Sequence, residues 1–411
     1  MKIGVVGLGY VGLPLVVAFA EAGHDVTGVD VNANMVAALG EGKSHIEDIP
    51  DERLQAILER FHATPRYADL AKVDAVIVAV PTPLTPNREP DLQPLIDTGT
   101  SLANVLQAGQ LVVLESTTYP GTTRERFAPL LEESGLAAGR DFYLAFSPER
   151  IDPGRTDYTL RNTPKIVGGL TDECLRRAVE LYSEVCDEVV QVSTPESAEL
   201  TKLLENIFRS VNIALVNELA MLCDRMDIDV WEVVEAAATK PYGFMSFKPG
   251  PGMGGHCLPV DPFYLAWRAR EFDMQTEFVE LAGEVNQAMP YFCVERISRA
   301  LNEQAKAVKG SRIAIFGVSY KPGVGDMRES PALRIVRLLR ERGADVSYHD
   351  EFVPELPELG LRSEWPEDPD CVAIVTAHPG LDIERLVQES PLVVDFRGVT
   401  RGIEAPNLVR L

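Results

Sequence analysis

The sequence is short of basic residues and of long apolar runs, and each shortage excludes a class of protein. With 39 Lys and Arg against 62 Asp and Glu, the chain has a formal net charge of -23 at pH 7. A nucleic-acid partner is therefore not expected, because phosphate binding requires a basic surface. No apolar run reaches the roughly 18–20 residues that a membrane-spanning helix needs, so no membrane partner is expected either.

Cysteine is also scarce, and the six cysteines form no CxxC pair. Such scattered thiols provide neither a disulfide framework nor a zinc site, and they are typical of a reducing cytoplasm. The histidines show no metal-ligand spacing, so no metal is expected. The first residues lead directly into an apolar strand, which argues against a secretory signal peptide and for a cytoplasmic location.

The first 30 residues contain a dinucleotide-binding fingerprint. An apolar strand at 2–7 runs into a GxGxxG formed by Gly7, Gly9 and Gly12. A helix is predicted over 13–22 and a second strand over 25–29, which ends at Asp30. The glycines allow a tight turn, approach of a pyrophosphate and close helix packing, while the acid binds the adenosine ribose. Because Asp30 would repel a 2'-phosphate, the expected cofactor is NAD.

Three further strands are predicted at 75–80, 111–114 and 142–146. Each is followed by a polar or proline-containing loop, and these loops carry Thr82, Thr117 and Glu149 respectively. In a parallel α/β sheet the ligand lies beyond the carboxyl ends of the strands. We therefore expect the three loops to line one site.

The middle of the chain is helical. Ser197–Asp227 has apolar residues at three- and four-residue steps, and further helical patterns cover 229–238 and 262–305. A glycine-rich loop at 249–255 interrupts them and leads to Cys257. Glycines let a backbone approach a ligand closely, and a thiol there can attack a carbonyl carbon. Such a nucleophile beside a hydride acceptor indicates oxidation of an alcohol past the aldehyde to an acid.

The last hundred residues repeat the opening pattern without its glycines. A strand at 312–317, a helix at 330–342 and a strand at 344–348 precede Asp350, and Ser319–Gly323 stands where the fingerprint would be. A different nucleotide ligand is expected here. The predicted fold is α/β, with two Rossmann-like doubly wound domains joined by a long central helix and a helical middle domain. The predicted boundaries are 1–195, 196–305 and 306–411.

These motifs together resemble the nucleotide-sugar 6-dehydrogenases, which include UDP-glucose and UDP-N-acetylhexosamine dehydrogenases. The similarity covers essentially the whole chain. It implies two oxidations at C6 of a UDP-sugar, two NAD consumed per turnover, and a homodimer formed through the central helix. Besides the fingerprint and the cysteine loop, it rests on five motifs: Val80–Pro83, Glu115–Gly121, Ser147–Arg150, Lys202–Asn206 and Ser319–Asp326.

The resemblance also implies roles for individual residues. Cys257 matches the catalytic cysteine, which would form a thiohemiacetal and then a thioester. Lys202 and Asn206 match the residues that hold the oxyanion and assist proton transfer, and their i,i+4 spacing places both on one helix face. Either Lys202 or a bound water would accept the hydroxyl proton in the first oxidation.

Hydrolysis of the thioester would need an activated water. Glu149 and Asp261 both match carboxylates involved in that step, and the sequence leaves open which of them acts. Thr117 matches a threonine that orients the water or the reacting groups.

The expected ligand contacts fall into two sets. Those for the cofactor are Gly7, Gly9, Tyr10, Val11, Gly12, Asp30, Thr82, Thr117 and Arg328. Those for the substrate are Glu149, Arg150, Lys202, Asn206, Phe247, Gly254 and Lys321.

The identity of the sugar is read from the cysteine loop. His256 and Val260 are more similar to the UDP-N-acetylhexosamine enzymes than to the commonest UDP-glucose pattern, so UDP-GlcNAc, UDP-GalNAc or UDP-ManNAc is favoured. UDP-glucose remains the alternative. A two-electron hydroxy-acid dehydrogenase and a non-catalytic nucleotide-binding protein are further alternatives, and neither would need Cys257.

Overall fold

The computed structural model describes residues 1–46, 48–85, 87–151, 157–255 and 260–411. They divide into two compact units. The first comprises Met1–Glu205 and Phe263–Met274, and the second comprises Asn206–Pro262 and Gln275–Leu411. The long helix α7, Pro195–Met226, begins in the first unit and ends in the second. The three predicted domain boundaries remain predictions.

The first unit is built on one eight-stranded sheet. Its strands are β1 Lys2–Val6, β2 Asp25–Val29, β3 Phe61–Thr64, β4 Ala75–Val78, β5 Leu111–Leu114, β6 Tyr143–Phe146, β7 Lys165–Gly169 and β8 Val189–Val192. Their order across the sheet is β3-β2-β1-β4-β5-β6-β7-β8. All neighbours are parallel except β6 and β7, which pair antiparallel. The order reverses at β1, as in a doubly wound Rossmann sheet.

Helices flank these strands. They are α1 Gly12–Glu21, α2 Ala33–Gly40, α3 Asp51–Gln55, α4 Gln93–Ala103, α5 Ala128–Glu132, α6 Asp172–Ser183 and most of α9 Asp261–Arg270. A 3-10 turn covers Tyr67–Lys72 and a π turn covers Thr123–Phe127. Because helices cover both faces, the central strands are apolar throughout, and every residue of β4 and β5 is buried.

The second unit contains a smaller parallel sheet. Its strands are β9 Arg312–Phe316, β10 Asp345–His349, β13 Cys371–Ile374, β14 Val393–Asp395 and β15 Leu408–Arg410, in the order β10-β9-β13-β14-β15. A short antiparallel hairpin pairs β11 Glu355–Leu356 with β12 Leu361–Arg362, two residues in each strand. The remaining helices are α8 Val230–Ala238, α10 Glu277–Glu303, α11 Pro331–Glu341 and α12 Ile383–Glu389, with a 3-10 turn at Pro357–Leu359. This sheet confirms the predicted second Rossmann-like unit.

The repeat extends to hydrogen bonds around two carboxylates. Asp30 follows β2 and accepts a hydrogen bond from Leu8 N at 2.9 Å, while Asp350 follows β10 and accepts one from Val318 N at 2.7 Å. The second carboxylate is 2% exposed and lies 3.0 Å from His378 Nε2. His378 therefore covers Asp350.

Two features differ from the sequence prediction. The helical pattern predicted over 262–305 is two helices, because the chain leaves α9 through a turn in which Asp273 has a φ of 53°. Strands β3, β7 and β8 of the first unit and β11 to β15 of the second unit were not predicted. Within the described ranges, no helix combines the length and the hydropathy that crossing a bilayer requires.

Candidate functional site

The predicted loops of the first unit meet at one edge of its sheet. Strands β1, β2, β4, β5 and β6 are parallel neighbours, so their carboxyl ends lie side by side. Gly7–Gly12 follows β1, Asp30 follows β2, and Thr82, Thr117 and Glu149 follow the other three. Thr82 Oγ1 donates a hydrogen bond to Thr117 O at 2.7 Å and joins two of the loops.

The three glycines of the fingerprint serve different purposes. A Cβ on Gly12 would lie 1.7 Å from Gly7 O, and one on Gly7, whose φ is +89°, would lie 2.4 Å from Ala79 O. A Cβ on Gly9 would meet nothing within 4 Å. Gly7 and Gly12 are therefore required by the protein's own packing, whereas Gly9 leaves space where a ligand's pyrophosphate can approach.

The surroundings of that space suit NAD. The first turn of α1 has no acidic residue, and its N-cap, Val11, offers no side-chain acceptor, so backbone N–H groups are available to phosphates. Tyr10 beside them is 36% exposed. Each oxygen of Asp30 accepts one backbone hydrogen bond, from Leu8 N and Asn32 N. A carboxylate has about four acceptor positions, so ribose hydroxyls can still bind.

Glu149 is held in a fixed orientation at the end of β6. Its Oε1 accepts hydrogen bonds from the backbone N–H of Arg150, at 2.6 Å, and of Ile151. Its Oε2 lies 3.9 Å from Lys165 Nζ, and the side chain is 13% exposed. The carboxylate is thus mostly buried and restrained by neighbours on both oxygens.

Arg150 connects the Glu149 loop to α7. Its guanidinium donates to Glu205 Oε1 at 2.7 Å and to Pro164 O at 2.5 Å. Lys202 lies one turn before Glu205 and is 9% exposed. Within the described ranges its ammonium has neither a hydrogen bond nor an ion pair. A buried cation without a partner is costly, so this position favours binding of an anion.

Two predicted site residues are in contact in the second unit. Asn206 Nδ2 donates a hydrogen bond to Asp261 Oδ2, and Asp261 is 1% exposed. Asp261 is the first residue of α9 instead of the residue before that helix. The expected substrate contact Phe247, also in the second unit, packs edge-on against Phe208, with ring centroids 5.8 Å apart.

Buried amides that the sequence did not single out hold the start of the cysteine loop. Asn217 Oδ1 accepts from Gly250 N at 2.9 Å, and Asn217 Nδ2 donates to Asn286 Oδ1 at 2.9 Å. Further along, a Cβ on Gly254 would lie 2.8 Å from Tyr320 Cβ. Only long-range packing reveals these amides, because nothing in the sequence distinguishes them from surface residues of α7 and α10.

The expected basic contacts lie around the loop after β9. Lys321 Nζ is 5.8 Å from the centre of the Tyr320 ring. Arg328 is exposed and forms an ion pair with Asp326, with Nη2 2.6 Å from Oδ2. Its carbonyl accepts a hydrogen bond from Gly255 N at 2.9 Å, which connects this loop to the glycines before Cys257. Arg328 belongs to the second unit, unlike the other expected cofactor contacts.

His256 and Cys257 lie outside the described residues. The other five cysteines are free and buried. Burial raises the pKa of Cys186 to about 11 and also raises the pKa values of Cys293 and Cys371. These three thiols are poor nucleophiles at neutral pH. Within the described ranges no group of His, Cys, Asp and Glu side chains is arranged to hold a metal ion.

Family models match the chain in three consecutive segments. Residues 1–186 match the NAD binding domain of the UDP-glucose/GDP-mannose dehydrogenase family, residues 196–288 match its central domain, and residues 314–402 match its UDP binding domain. The first match contains the glycine fingerprint, and the third contains Asp350 and most of the second sheet.

Known proteins agree with these matches. The chain is 35% identical to a UDP-N-acetyl-D-mannosamine dehydrogenase of Pyrococcus horikoshii, over 98% of this chain and 100% of that protein. It is 37% identical to a UDP-N-acetyl-D-glucosamine 6-dehydrogenase of Pseudomonas aeruginosa, over 86% and 83% of the two chains. A solved structure of a UDP-D-ManNAc dehydrogenase from Pyrococcus horikoshii superposes with a TM-score of 0.91 at 34% identity, covering 100% of this chain and 98% of that one. The chain therefore belongs to the UDP-glucose/GDP-mannose dehydrogenase family and is an NAD-dependent nucleotide-sugar dehydrogenase.

Proposed function

We propose that the protein oxidises C6 of a UDP-N-acetylhexosamine twice, to the uronic acid, through a covalent intermediate on Cys257. The observation that carries this proposal is the ion pair between Arg150 and Glu205. It brings the loop of Glu149 against the helix that carries Lys202, beyond the same sheet edge as the NAD fingerprint. A carboxylate base, an unpaired ammonium and a cofactor site are thereby assembled within one unit.

Cys257 and Lys202 have separate roles in the two oxidation steps. When bound, NAD supplies the hydride acceptor for each step. Either Lys202 in its neutral amine form or a bound water takes the proton of the C6 hydroxyl as the aldehyde forms. The Cys257 thiolate then adds to the aldehyde carbon. Lys202 and Asn206 donate hydrogen bonds to the resulting oxygen, and removing one such donor typically costs about 3–4 kcal/mol of transition-state stabilisation.

Hydrolysis of the thioester requires a base with a fixed orientation. The Glu149 carboxylate meets this requirement, since two backbone N–H groups hold one oxygen and a buried ammonium lies beside the other. Asp261 accepts a hydrogen bond from Asn206. That contact suits a role in orienting the amide which holds the oxyanion. We therefore propose Glu149 as the base for water, Asp261 as the residue that orients Asn206, and Thr117 as a contact of the water.

The N-acetylhexosamine class is favoured over UDP-glucose by two independent observations. In the cysteine loop, His256 and Val260 are more similar to the UDP-N-acetylhexosamine enzymes than to the commonest UDP-glucose pattern. The relatives named above act, by their names, on UDP-N-acetylmannosamine and UDP-N-acetylglucosamine. UDP-glucose is the second candidate substrate.

A panel of UDP-sugars with NAD tests the reaction class and the sugar together. We expect two NADH per sugar and the mass increase for conversion of CH2OH to COOH, with the highest kcat/KM for a UDP-N-acetylhexosamine. A single NADH per sugar would contradict the four-electron reaction. A highest kcat/KM for UDP-glucose would keep the reaction but change the substrate.

Replacement of Cys257 tests the covalent route. Cys257→Ala should abolish formation of the acid, because no thioester can form. The matched control is Cys223→Ala, which removes a buried thiol from α7 and should retain activity. Release of uronic acid by Cys257→Ala at the parental rate would exclude a thioester intermediate.

We also propose that the protein is a homodimer formed through α7. One face of this helix exposes large apolar side chains at helical spacing: Leu204 62%, Phe208 46%, Leu215 53%, Leu219 39%, Leu222 50% and Met226 57%. A contiguous apolar stripe of this length on a soluble protein is typical of an interface. A second copy of the same helix is its proposed partner, since a two-fold axis would pair the stripe with itself.

The buried free thiols support a reducing location. Five cysteines of the described ranges are unpaired. UDP-sugars and NAD are soluble metabolites, so we propose that the protein acts in the cytoplasm.

A further inference from the structure

A buried lysine lies behind the Glu149 loop, and the proposed function does not use it. Lys165 is the first residue of β7, and its side chain is 3% exposed. Its ammonium forms an ion pair with Glu115 Oε2 at 2.8 Å, donates to Pro148 O at 3.2 Å, and lies 3.9 Å from Glu149 Oε2. One cation thus contacts two carboxylates and the backbone between β6 and Glu149.

The two carboxylates are not equivalent. Glu115 is fully buried, and its other oxygen accepts a hydrogen bond from the Tyr182 hydroxyl. It has no route to a substrate. Burial raises the pKa of Glu115, and the adjacent Lys165 ammonium opposes this rise. Glu149 is the more exposed of the two, at 13% of its side chain. It lies at the carboxyl edge of the sheet, where the ligand is expected.

The two carboxylates beside Lys165 keep its ammonium charged. Burial disfavours an ammonium, but Glu115 and Glu149 together raise the pKa of Lys165 above its ordinary value. Burial also keeps two neighbouring groups neutral, since it raises the pKa of Tyr182 on α6 and of Cys186 just after that helix. Arg150 and Glu205, which also lie near Glu149, form an ion pair with each other, and Lys202 lies one turn before Glu205 on α7. Lys165 is the cation that contacts Glu149 Oε2 directly, at 3.9 Å.

We propose that Lys165 is a positioning residue, which holds the Glu149 carboxylate in place for the attack of water on the thioester. The inference rests on the proposed function. In the step it serves, the water oxygen bonds to the thioester carbon while a water proton passes to Glu149. The carbon–sulfur bond then breaks, its electron pair leaves with Cys257 as thiolate, and the carboxylic acid is released. No oxidant is consumed in this step, so Lys165 affects hydrolysis without a direct part in either oxidation.

Two variants separate this role from a purely structural one, because they change the electrostatic potential at the Glu149 carboxylate in opposite directions. Glu115→Gln leaves the ammonium with Glu149 as its only carboxylate, so the pH for half-maximal hydrolysis should fall. Lys165→Met with Glu115→Gln removes the cation and its buried counter-ion together, so that pH should rise. Shifts of about one pH unit are expected for an opposite charge at this distance. Lys165→Arg keeps the charge and should largely retain the parental profile.

Rapid-quench kinetics with a UDP-N-acetylhexosamine and NAD give the readout. In the double variant we expect a burst of two NADH per active site, accumulation of thioester detected by intact mass, and hydrolysis slowed by about tenfold or more. Equal slowing of the burst and of hydrolysis would overturn the proposal. So would an unmoved pH profile in Glu115→Gln, whether or not the double variant folds.

A substrate-free measurement distinguishes failure of this inference from failure of the proposed function. The Glu149 carboxyl is followed by 13C NMR, as the difference between each protein and the same protein carrying Glu149→Gln. Its titration midpoint should fall in Glu115→Gln and rise in the double variant, without any turnover. Midpoints that do not move would overturn the role of Lys165 even in an active enzyme. Absence of NADH formation by the parental protein would instead refute the proposed function.

Discussion

Glu199 is a buried carboxylate on α7 that holds the loop after β5. Its oxygens accept hydrogen bonds from Gly121 N at 2.6 Å, Thr123 N at 2.8 Å and Thr123 Oγ1 at 2.6 Å, and the residue is 0% exposed. The same loop carries Thr117. A single side chain therefore fixes the loop that carries this expected cofactor contact, although it lies nearly eighty residues away in the sequence.

Removal of that carboxylate should destabilise the protein. Glu199→Ala leaves three buried donors without an acceptor, and we expect a loss of about 3 kcal/mol or more in the free energy of unfolding. Urea denaturation measures it. The matched control is Glu196→Ala, one turn earlier on the same helix, which breaks the partly exposed ion pair with Arg124 and should cost about 1 kcal/mol or less. Equal losses in the two variants would contradict this account.

The same residue should make stability depend on pH. Burial raises the pKa of Glu199 to about 7 from the 4.5 of a free glutamate. The folded state therefore binds the proton more tightly than the unfolded state, and this contribution is complete below about pH 4.5 and lost as the pH rises through 7. Glu199→Gln cannot titrate. Between pH 5 and pH 8, the unfolding free energy of the parental protein should fall relative to that of Glu199→Gln by about 1–3 kcal/mol. Parallel curves would show that Glu199 is ionised throughout.

At the scale of elements, the strand–loop–helix unit of β1 and α1 separates two requirements for glycine. Gly9→Ala adds a methyl group into open space, so the fold should be unchanged while the pyrophosphate is obstructed. Gly12→Ala places a methyl group 1.7 Å from Gly7 O, so α1 must shift and stability should fall as well. We expect Gly9→Ala to weaken NAD binding by at least about tenfold at an unchanged Tm. Gly12→Ala should lower both the affinity for NAD and the Tm.

Calorimetric titration with NAD and thermal unfolding provide the two readouts for this pair. Each variant is the control for the other, since both add one methyl group within the same loop. A lower Tm in Gly9→Ala, or an unchanged Tm in Gly12→Ala, would contradict the division of roles.

Elements with a local signal were predictable from the sequence. The strand at 25–29 and the helix before Gly23 were both predicted, because alternation and a terminating glycine are encoded within a few residues. Strand β7 was missed, because it begins with Lys165, a residue type that is typically exposed. Its burial depends on Glu115, fifty positions away. The position of the candidate site loops at strand ends was predictable in the same sense, whereas the ion pairs behind these loops depend on tertiary packing.

The apolar pattern of α7 shows a second reason for incomplete prediction. The three- and four-residue spacing that predicted the helix combines residues from two faces. Leu203 is 0% exposed and Ile207 is 7% exposed, whereas Leu204 and Leu215 are 62% and 53% exposed. Periodicity reveals that a helix is amphipathic, but it cannot distinguish an apolar face that packs within the chain from one that is exposed in the single chain.

At the scale of the molecule, one supersecondary unit occurs twice, with different residues in its loops. In both copies a strand is followed by a glycine with positive φ, Gly7 at 89° and Gly317 at 78°. An aspartate after the next strand accepts a hydrogen bond from the residue that follows this glycine. In the second copy His378 lies on that aspartate and also accepts a hydrogen bond from Gly323 N at 3.1 Å. The shared backbone accounts for the repeated fold, while the substituted loop accounts for a different ligand in each half.

The assembly of the whole molecule is tested at the exposed face of α7. Leu215→Glu combined with Leu222→Glu places two charges within the proposed interface, where each leucine would otherwise contribute about 1.5–3 kcal/mol on burial. Both side chains are at least half exposed in the single chain, so the fold of the protomer should be retained. We expect sedimentation velocity to show a parental dimer and a monomeric double variant, with a dissociation constant raised at least about a hundredfold.

The control for this prediction is Ile96→Glu. It makes the same kind of change at an aliphatic residue on α4 that is 39% exposed. Because α4 presents no comparable apolar stripe, this variant should remain dimeric. A parental protein that sediments as a monomer, or a double variant that remains a dimer, would assign the stripe to another role. Loss of the dimer in Ile96→Glu would place the interface on the first sheet's helical layer instead of on α7.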